Sequence, residues 1–292
     1  WGPKGSGYSP LLRHSNVSSG VWKKIPSPWS TALIQSPLDA AHRRVLERSR
    51  DARVHRDGGG RDGAALGIAQ DGLLDPEMVP WGQTEESPEP ACLLVADYGE
   101  LEAEYAAIRR GTGILDRPDR GLLELTGADA LDLLSRLLTN ATPGIGASVR
   151  GFLLARTGRI LADVQVVARE DSVLLDLDRT DIEAVKAHIE SFIFSEDVRI
   201  VDQTLLRHRI ELHGPDAEVT FSTAFPEDRP SAWSLAVEDR TPCGEPGLAL
   251  DVPIKDVEDV WEKLVSTVPP ARRPPRAIGW HAYNIARIEA GT

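Results

Sequence analysis

One carboxylate interrupts an otherwise apolar stretch. Asp163 lies between Ala162 and Val164 in ILADVQVV (160–167), the second half of GFLLARTGRILADVQVVAR (151–169). Two apolar runs joined at Arg156-Thr157-Gly158-Arg159 predict a β-hairpin. Strand side chains alternate between faces, so Ile160, Ala162, Val164 and Val166 share an apolar face. Leu161, Asp163, Gln165 and Val167 share a mixed one. An acid on a mixed face is either paired or solvated, or it sits beside a bound ligand. In the second case partial burial raises its pKa and makes it a proton acceptor. A second acid, Glu289, stands near the end of the helix-like run GWHAYNIARIEAG (279–291), two positions after Arg287. A solvated helix-end acid is the ordinary state of such a group. His188, at helical spacing with Val185, Ile189 and Phe192, reads as a helix-face residue rather than a ligand.

The elements that must position these groups follow from composition and pattern. The chain has 292 residues, 41% hydrophobic and 27% charged, with net charge −12 from 45 acids and 33 bases. An acidic chain with this much apolar content buries a core and has no general affinity for nucleic-acid backbone. Cys92 and Cys243 are its only cysteines, so neither a disulfide framework nor zinc spacing is present, and a reducing, cytoplasmic setting is the default. Apolar runs of about five residues are far short of a membrane span. The chain begins at Trp1, has Met78 as its only methionine and stops at Thr292 after a helix-like segment. It therefore reads as a fragment open at both ends.

Residues 1–35, rich in Gly, Ser and Pro, show no period and read as a disordered or non-native extension. A second segment, 36–96, opens with a helix capped at Ser36-Pro37 and continues through an irregular stretch. Its Gly58-Gly59-Gly60 loop has neither the preceding strand nor the Lys-Ser/Thr of a phosphate loop. The third segment, 97–292, alternates strand pairs with helices. Helices are predicted near 98–111, 128–140, 181–194, 255–268 and 279–291. Strands are predicted near 121–126, 151–169, 172–178, 198–201, 209–212, 233–237 and 248–253. This is an α+β pattern with mainly antiparallel sheets.

Four stretches, in this order, resemble the folate-binding family of the glycine-cleavage T-protein and its YgfZ-type relatives. They are EAEYAAIRRGTGILDRPDRGLLELTGADALDLLSRLLTN, the hairpin GRILADVQVV, RTPCGEPGLALDVP and ARIEAG. The resemblance covers about 97–292 and implies the T-protein-like fold, incomplete here because the C-terminal barrel would lie beyond Thr292. It implies tetrahydrofolate, or a one-carbon derivative, as the ligand in the centre of the fold. Asp163 is then the acid near the folate's reactive nitrogens, both catalytic and cofactor-binding. Glu289, with Arg287 beside it in the ARIEAG motif, is the acid on the pterin edge, where a carboxylate matches adjacent N–H donors.

Two departures lean toward the YgfZ-type branch. Ala162 stands where the T-protein carries the first of two acids, and Pro242-Cys243 replaces its usual Tyr-Thr. That branch implies a tetrahydrofolate-binding protein supporting iron–sulfur protein assembly or repair, with tRNA modification reached through an iron–sulfur enzyme. The alternative is an aminomethyltransferase working with a lipoyl-carrier protein and releasing ammonia. A third possibility is an interaction domain that has lost folate. None of the three involves direct nucleic-acid or membrane binding.

Overall fold

Strands form here where period-2 runs meet a partner, and helices where apolar residues recur every third or fourth position. The computed structural model describes residues 36–56, 76–83, 89–227, 233–238 and 241–292. The predicted extension at 1–35 and the Gly58–Gly60 loop lie outside the described residues.

In chain order, helix α1 (Asp39–Arg56) is followed by strands β1 (Met78–Trp81) and β2 (Cys92–Val95), which pair antiparallel. Helix α2 (Leu101–Arg110) leads into β3 (Gly113–Arg117) and β4 (Arg120–Thr126), then α3 (Ala130–Ser135). The hairpin is β5 (Ser148–Leu154) and β6 (Ile160–Ala168), and β7 (Val173–Asp178) extends it. Next come α4 (Ile182–Glu190), β8 (Arg199–Asp202), β9 (Arg207–His213), α5 (Ala217–Ala224) and β10 (Ser234–Glu238). The chain closes with β11 (Gly247–Pro253), α6 (Val257–Ser266), β12 (Arg276–Ile278) and α7 (Trp280–Ala290).

Two five-stranded sheets result. One runs β5-β6-β7-β4-β8, antiparallel throughout; the other runs β10-β11-β9-β3-β12, in which only the β12–β3 pair is parallel. The α+β, mainly antiparallel architecture is therefore the one the sequence predicts. Each sheet packs one face on helices. The first buries Ala162, Val164 and Val166 of β6 with Leu133 and Leu134 of α3 and Val185 and Ile189 of α4. The second buries Ile210 and Leu212 with α1, α5 and α6. In α6, Val257, Val260, Trp261 and Leu264 are all buried, the i, i+3, i+4, i+7 stripe of a core-facing helix. Each such side chain contributes about 1.5–3 kcal/mol.

Beneath α1 a polar network interrupts this second core. Asp116 accepts from the Ser36 hydroxyl at 2.6 Å and pairs with His42 at 2.8 Å and with His208. The Tyr98 hydroxyl meets the other His42 nitrogen at 2.8 Å. Burial alone would raise the Asp116 pKa, but the facing His208 and His42 lower it. Ser36 also accepts from Leu38 N–H at 3.1 Å, and the helix begins at Asp39, after the Ser36-Pro37 turn.

Several expectations shift. The helix predicted over 128–140 is only Ala130–Ser135. Beyond it, Leu138 bridges Leu153, Thr139 N–H donates to Phe152 O at 3.0 Å, and the Asn140 amide donates to Arg150 O at 3.0 Å. Pairing with β5 has replaced the helical hydrogen bonds. β3 lacks alternation because all five of its residues are buried, the pattern of a two-sided interior strand. β12 has three residues, and α5 is built from AEVTFSTA, whose β-branched and hydroxyl residues favour helix weakly. The hairpin turn is as predicted, with Gly158 at φ 78°, a conformation that favours glycine. Among the described residues, no helix is long and apolar enough to cross a membrane.

Candidate functional site

The faces of the two sheets that lack helices look at each other, and a cavity opens between them. Its empty space is about 490 Å³, mouth included. β6 contributes Asp163 and Gln165, and β7 contributes Asp176. β9 contributes Arg209, Glu211 and His213, while Leu248, Ala249 and Tyr283 add apolar surface. The alternation of β6 decides what enters. Ala162 is 3% exposed and packed in the helix-side core. The acid missing at that position is thus missing from the core, and the substitution does not reach the cavity wall.

Asp163 stands on that wall, as the hairpin pattern predicts, and is paired there. Its side chain is 41% exposed, and Arg150 grips it with contacts of 2.5–3.2 Å. The carboxylate is thus partly buried at the cavity wall, with Arg150 bound to both of its oxygens in the free protein.

Glu289 and Arg287 are not brought together with Asp163. Tyr283 is the residue of α7 that lines the cavity. Six residues at about 100° each carry Glu289 round to another side of the helix. There it accepts from Tyr105 at 2.5 Å and from Arg109 at 2.8 Å, on α2. Arg109 also donates to Glu245 at 3.0 Å and to Cys243 O at 2.9 Å. Glu289 thus holds Arg109, which in turn holds the 243–245 turn at the cavity rim. Arg287 donates to Asn284 and to Thr292 O, fastening the end of its own helix.

The deep wall is a ladder of buried charges that the sequence reading did not identify. Arg120 clasps Asp176 with two bonds of 3.0 Å. Asp176 reaches across to Arg209 at 3.0 Å, and Arg209 clasps Asp251 at 2.8 and 3.0 Å. Arg117 links Glu211 at 2.7 Å to Asp119 at 2.8 and 2.7 Å, under the Tyr283 ring at 5.3 Å. Bidentate guanidinium–carboxylate pairs of this kind are the strong ones. The signal for the β9 part was present: in RHRIELH (207–213) the charged Arg209, Glu211 and His213 fall at every second position, one face of a strand.

Beside the ladder, His213 joins Glu211 at 3.1 Å through Nε2 and the Thr241 hydroxyl at 3.2 Å through Nδ1. That hydroxyl lies 2.9 Å from the Cys243 thiol. The tight turn 241–245 fixes this arrangement through Gly244 N–H to Thr241 O and Thr241 N–H to Glu245 O, both 2.8 Å. Burial pulls the His213 pKa down, but hydrogen bonds to Cys243 and Glu211 outweigh it and raise it to about 9. For Cys243 burial acts upward, and His213, by hydrogen bond and charge, brings the thiol below its ordinary value. Cys92 has no such neighbour, and burial pushes it up to about 12.

Comparison with known proteins gives concordant findings. Residues 95–235 match the family described as the GCVT N-terminal domain. The chain is 25% identical over 213 residues to an aminomethyltransferase of Bacillus cytotoxicus, covering 68% of this chain and 57% of that protein. It is 26% identical over 208 residues to an aminomethyltransferase of Rubrobacter xylanophilus, covering 66% and 54%. Its fold resembles the crystal structure of glycine cleavage system aminomethyltransferase T from Bartonella henselae. The TM-score is 0.68 at 19% identity, over 89% of this chain and 63% of that one. The chain thus spans little more than half the length of the relatives it matches. These relatives carry the aminomethyltransferase name and give no specific support to the YgfZ-type branch favoured by the hairpin.

Proposed function

We propose, from the match of residues 95–235 to the GCVT N-terminal domain and the similarity to aminomethyltransferases, that the inter-sheet cavity binds a reduced folate and serves one-carbon transfer of the aminomethyltransferase type. The observation that carries this reading is the cavity wall itself. An acid on the hairpin strand, Asp163, faces the gap beside Gln165, with Leu248, Ala249 and Tyr283 as apolar surface.

The residues present fit a flat heterocycle that carries hydrogen-bonding groups on its edge. A carboxylate suits its N–H donors, and the aliphatic and aromatic surfaces suit its faces. The Arg117, Arg120 and Arg209 guanidiniums are already matched by Asp119, Asp176, Glu211 and Asp251, so the ladder acts as a rigid, charge-balanced floor. When bound, the folate supplies the nitrogens that accept a carbon unit. Asp163, once Arg150 releases it, orients those nitrogens and takes up a proton. Glu289 and Arg287 act outside the cavity, Glu289 by holding Arg109 and the rim turn.

For the whole protein, this reading makes an aminomethyl group on a lipoyl-carrier protein the donor and ammonia the second product. The test is calorimetry with tetrahydrofolate, followed by an ammonia-release assay on aminomethyl-lipoyl carrier. Micromolar binding that Asp163→Asn weakens about ten- to a hundredfold supports the folate site. Ammonia release then supports the transferase. Binding without release favours a folate-binding protein of the YgfZ type, with iron–sulfur proteins as partners. Absence of binding removes the folate reading.

A further inference from the structure

Gln165 is 9% exposed, lines the cavity and makes no hydrogen bond through its side chain with any described residue. Its neighbours in the sheet explain why. Gln165 lies opposite Arg150 on β5 and Asp176 on β7, and each of these is committed elsewhere. Arg150 turns to Asp163, and Asp176 is held by Arg120 and Arg209. A carboxamide carries two donors and an acceptor, and in Gln165 these polar atoms open onto the cavity, where a ligand can meet them, rather than into the core.

Strand geometry sets what that partner can be. Residues two apart on one face of a strand are about 6.6–6.8 Å apart. Asp163 and Gln165 therefore present a carboxylate and a carboxamide along a line as long as the edge of a fused two-ring heterocycle. The carboxylate accepts from an N–H of one ring, and the carboxamide N–H donates to a carbonyl on the adjoining ring. The complementary ligand edge therefore pairs a ring carbonyl with a neighbouring ring N–H, as in a reduced pterin.

We propose that Gln165 is a specificity-determining residue of this cavity, whose carboxamide donates to the ring carbonyl of the bound heterocycle while Asp163 faces the N–H of the adjoining ring. The inference rests on the folate reading and adds to it the residue that recognises the carbonyl. A side chain kept for a ligand contributes nothing to the free protein, and this separates the idea from a structural role.

The experiment compares wild type, Gln165→Met and Gln165→Glu by thermal unfolding without ligand and by calorimetry with tetrahydrofolate. The Met variant is expected to unfold at the wild-type temperature or up to about 2–4 °C higher, and to bind about tenfold or more weakly. The Glu variant, whose carboxylate faces the carbonyl oxygen, is expected to bind more weakly still. A fall in the ligand-free unfolding temperature of the Met variant overturns the proposal, because the carboxamide would then have a partner within the protein. Equal affinity of wild type and Met variant overturns it while leaving the folate reading intact. A wild type that binds no tetrahydrofolate overturns both.

Discussion

Asp176 of β7 and Arg209 of β9 meet at 3.0 Å across the gap between the two sheets. Both are buried, and each holds a further partner in its own sheet, Arg120 and Asp251 respectively. The contact is a cross-brace: it fixes the separation of the sheets at the floor of the cavity. Breaking a buried pair strands the surviving charge and costs about 3–5 kcal/mol. Asp176→Asn, which leaves Arg209 and Arg120 short of a carboxylate, is expected to lose stability of that order in urea denaturation. A loss below about 1 kcal/mol, the range of surface pairs, would show that the brace carries no load.

Asp163 and Glu289 are expected to separate in function. Asp163 faces the cavity with a half-exposed, Arg150-bound carboxylate, so Asp163→Asn weakens folate binding and hardly changes unfolding. Glu289→Gln acts on Arg109 and the rim turn from outside and is expected to leave folate affinity at the wild-type value. Calorimetry on the two variants decides. A larger loss for Glu289→Gln than for Asp163→Asn would restore the pairing suggested by the ARIEAG motif.

His213 gives the fold a pH dependence of definite sign. Its neighbours from the packed elements are Glu211, itself bound to Arg117, and Thr241, Cys243 and Tyr283. Folding raises its pKa from 6.5 to about 9. Its contribution to stability is therefore full below pH 6.5 and is lost as pH rises through about 9, on the order of a few kcal/mol. Cys243, lowered in the folded state, contributes with the opposite sign. Urea denaturation of the wild type between pH 6 and 9.5 follows this decline, and Cys243→Ser, which removes the first of the raising partners, is expected to move it to lower pH. The expected decline disappears when His213→Gln is added, and a flat profile before that addition would contradict the assignment.

The two thiols are expected to ionise far apart. Cys243 beside His213 forms thiolate below the ordinary cysteine range, whereas Cys92 stays protonated to about pH 12. Ultraviolet thiolate absorbance of the folded protein should rise once below pH 9, and Cys243→Ser should abolish that rise. If Cys92→Ser abolished it instead, the roles given to the two environments would be reversed.

The hairpin was legible in the sequence because alternation and a Gly-containing turn specify it locally. The same alternation sends Ala162 to the core and Asp163 and Gln165 to the cavity. Amphipathic helices such as α6 were equally legible, since their stripe needs no knowledge of the partner. The charge ladder was not. Charged residues in strands ordinarily face solvent, and only the approach of a second sheet with matching acids makes the burial of Arg117, Arg120 and Arg209 sustainable. The partners of Glu289 were hidden for a related reason: its motif fixes its place on α7 but not the direction in which the helix presents it. β12 was invisible, because three residues become a strand only when β3 is already there to pair with them.

That parallel pairing of β12 with β3 bears on the order in which the protein assembles during synthesis. All strands of the β5-β6-β7-β4-β8 sheet lie between residues 120 and 202, so it can close while the rest of the chain is still being made. The other sheet needs β9 and β11, at 207–253, to reach β3, and its edge is completed only when residues 276–278 reach 113–115, across more than half of the chain. Closing so long a loop is slow, and the cavity has only one wall until β9 and β11 have formed. Pulsed hydrogen exchange during refolding should protect β4–β7 amides before those of β3. Until those strands are delivered, the Arg120–Asp176 half of the ladder faces water and is a nascent-chain surface for a chaperone to shield.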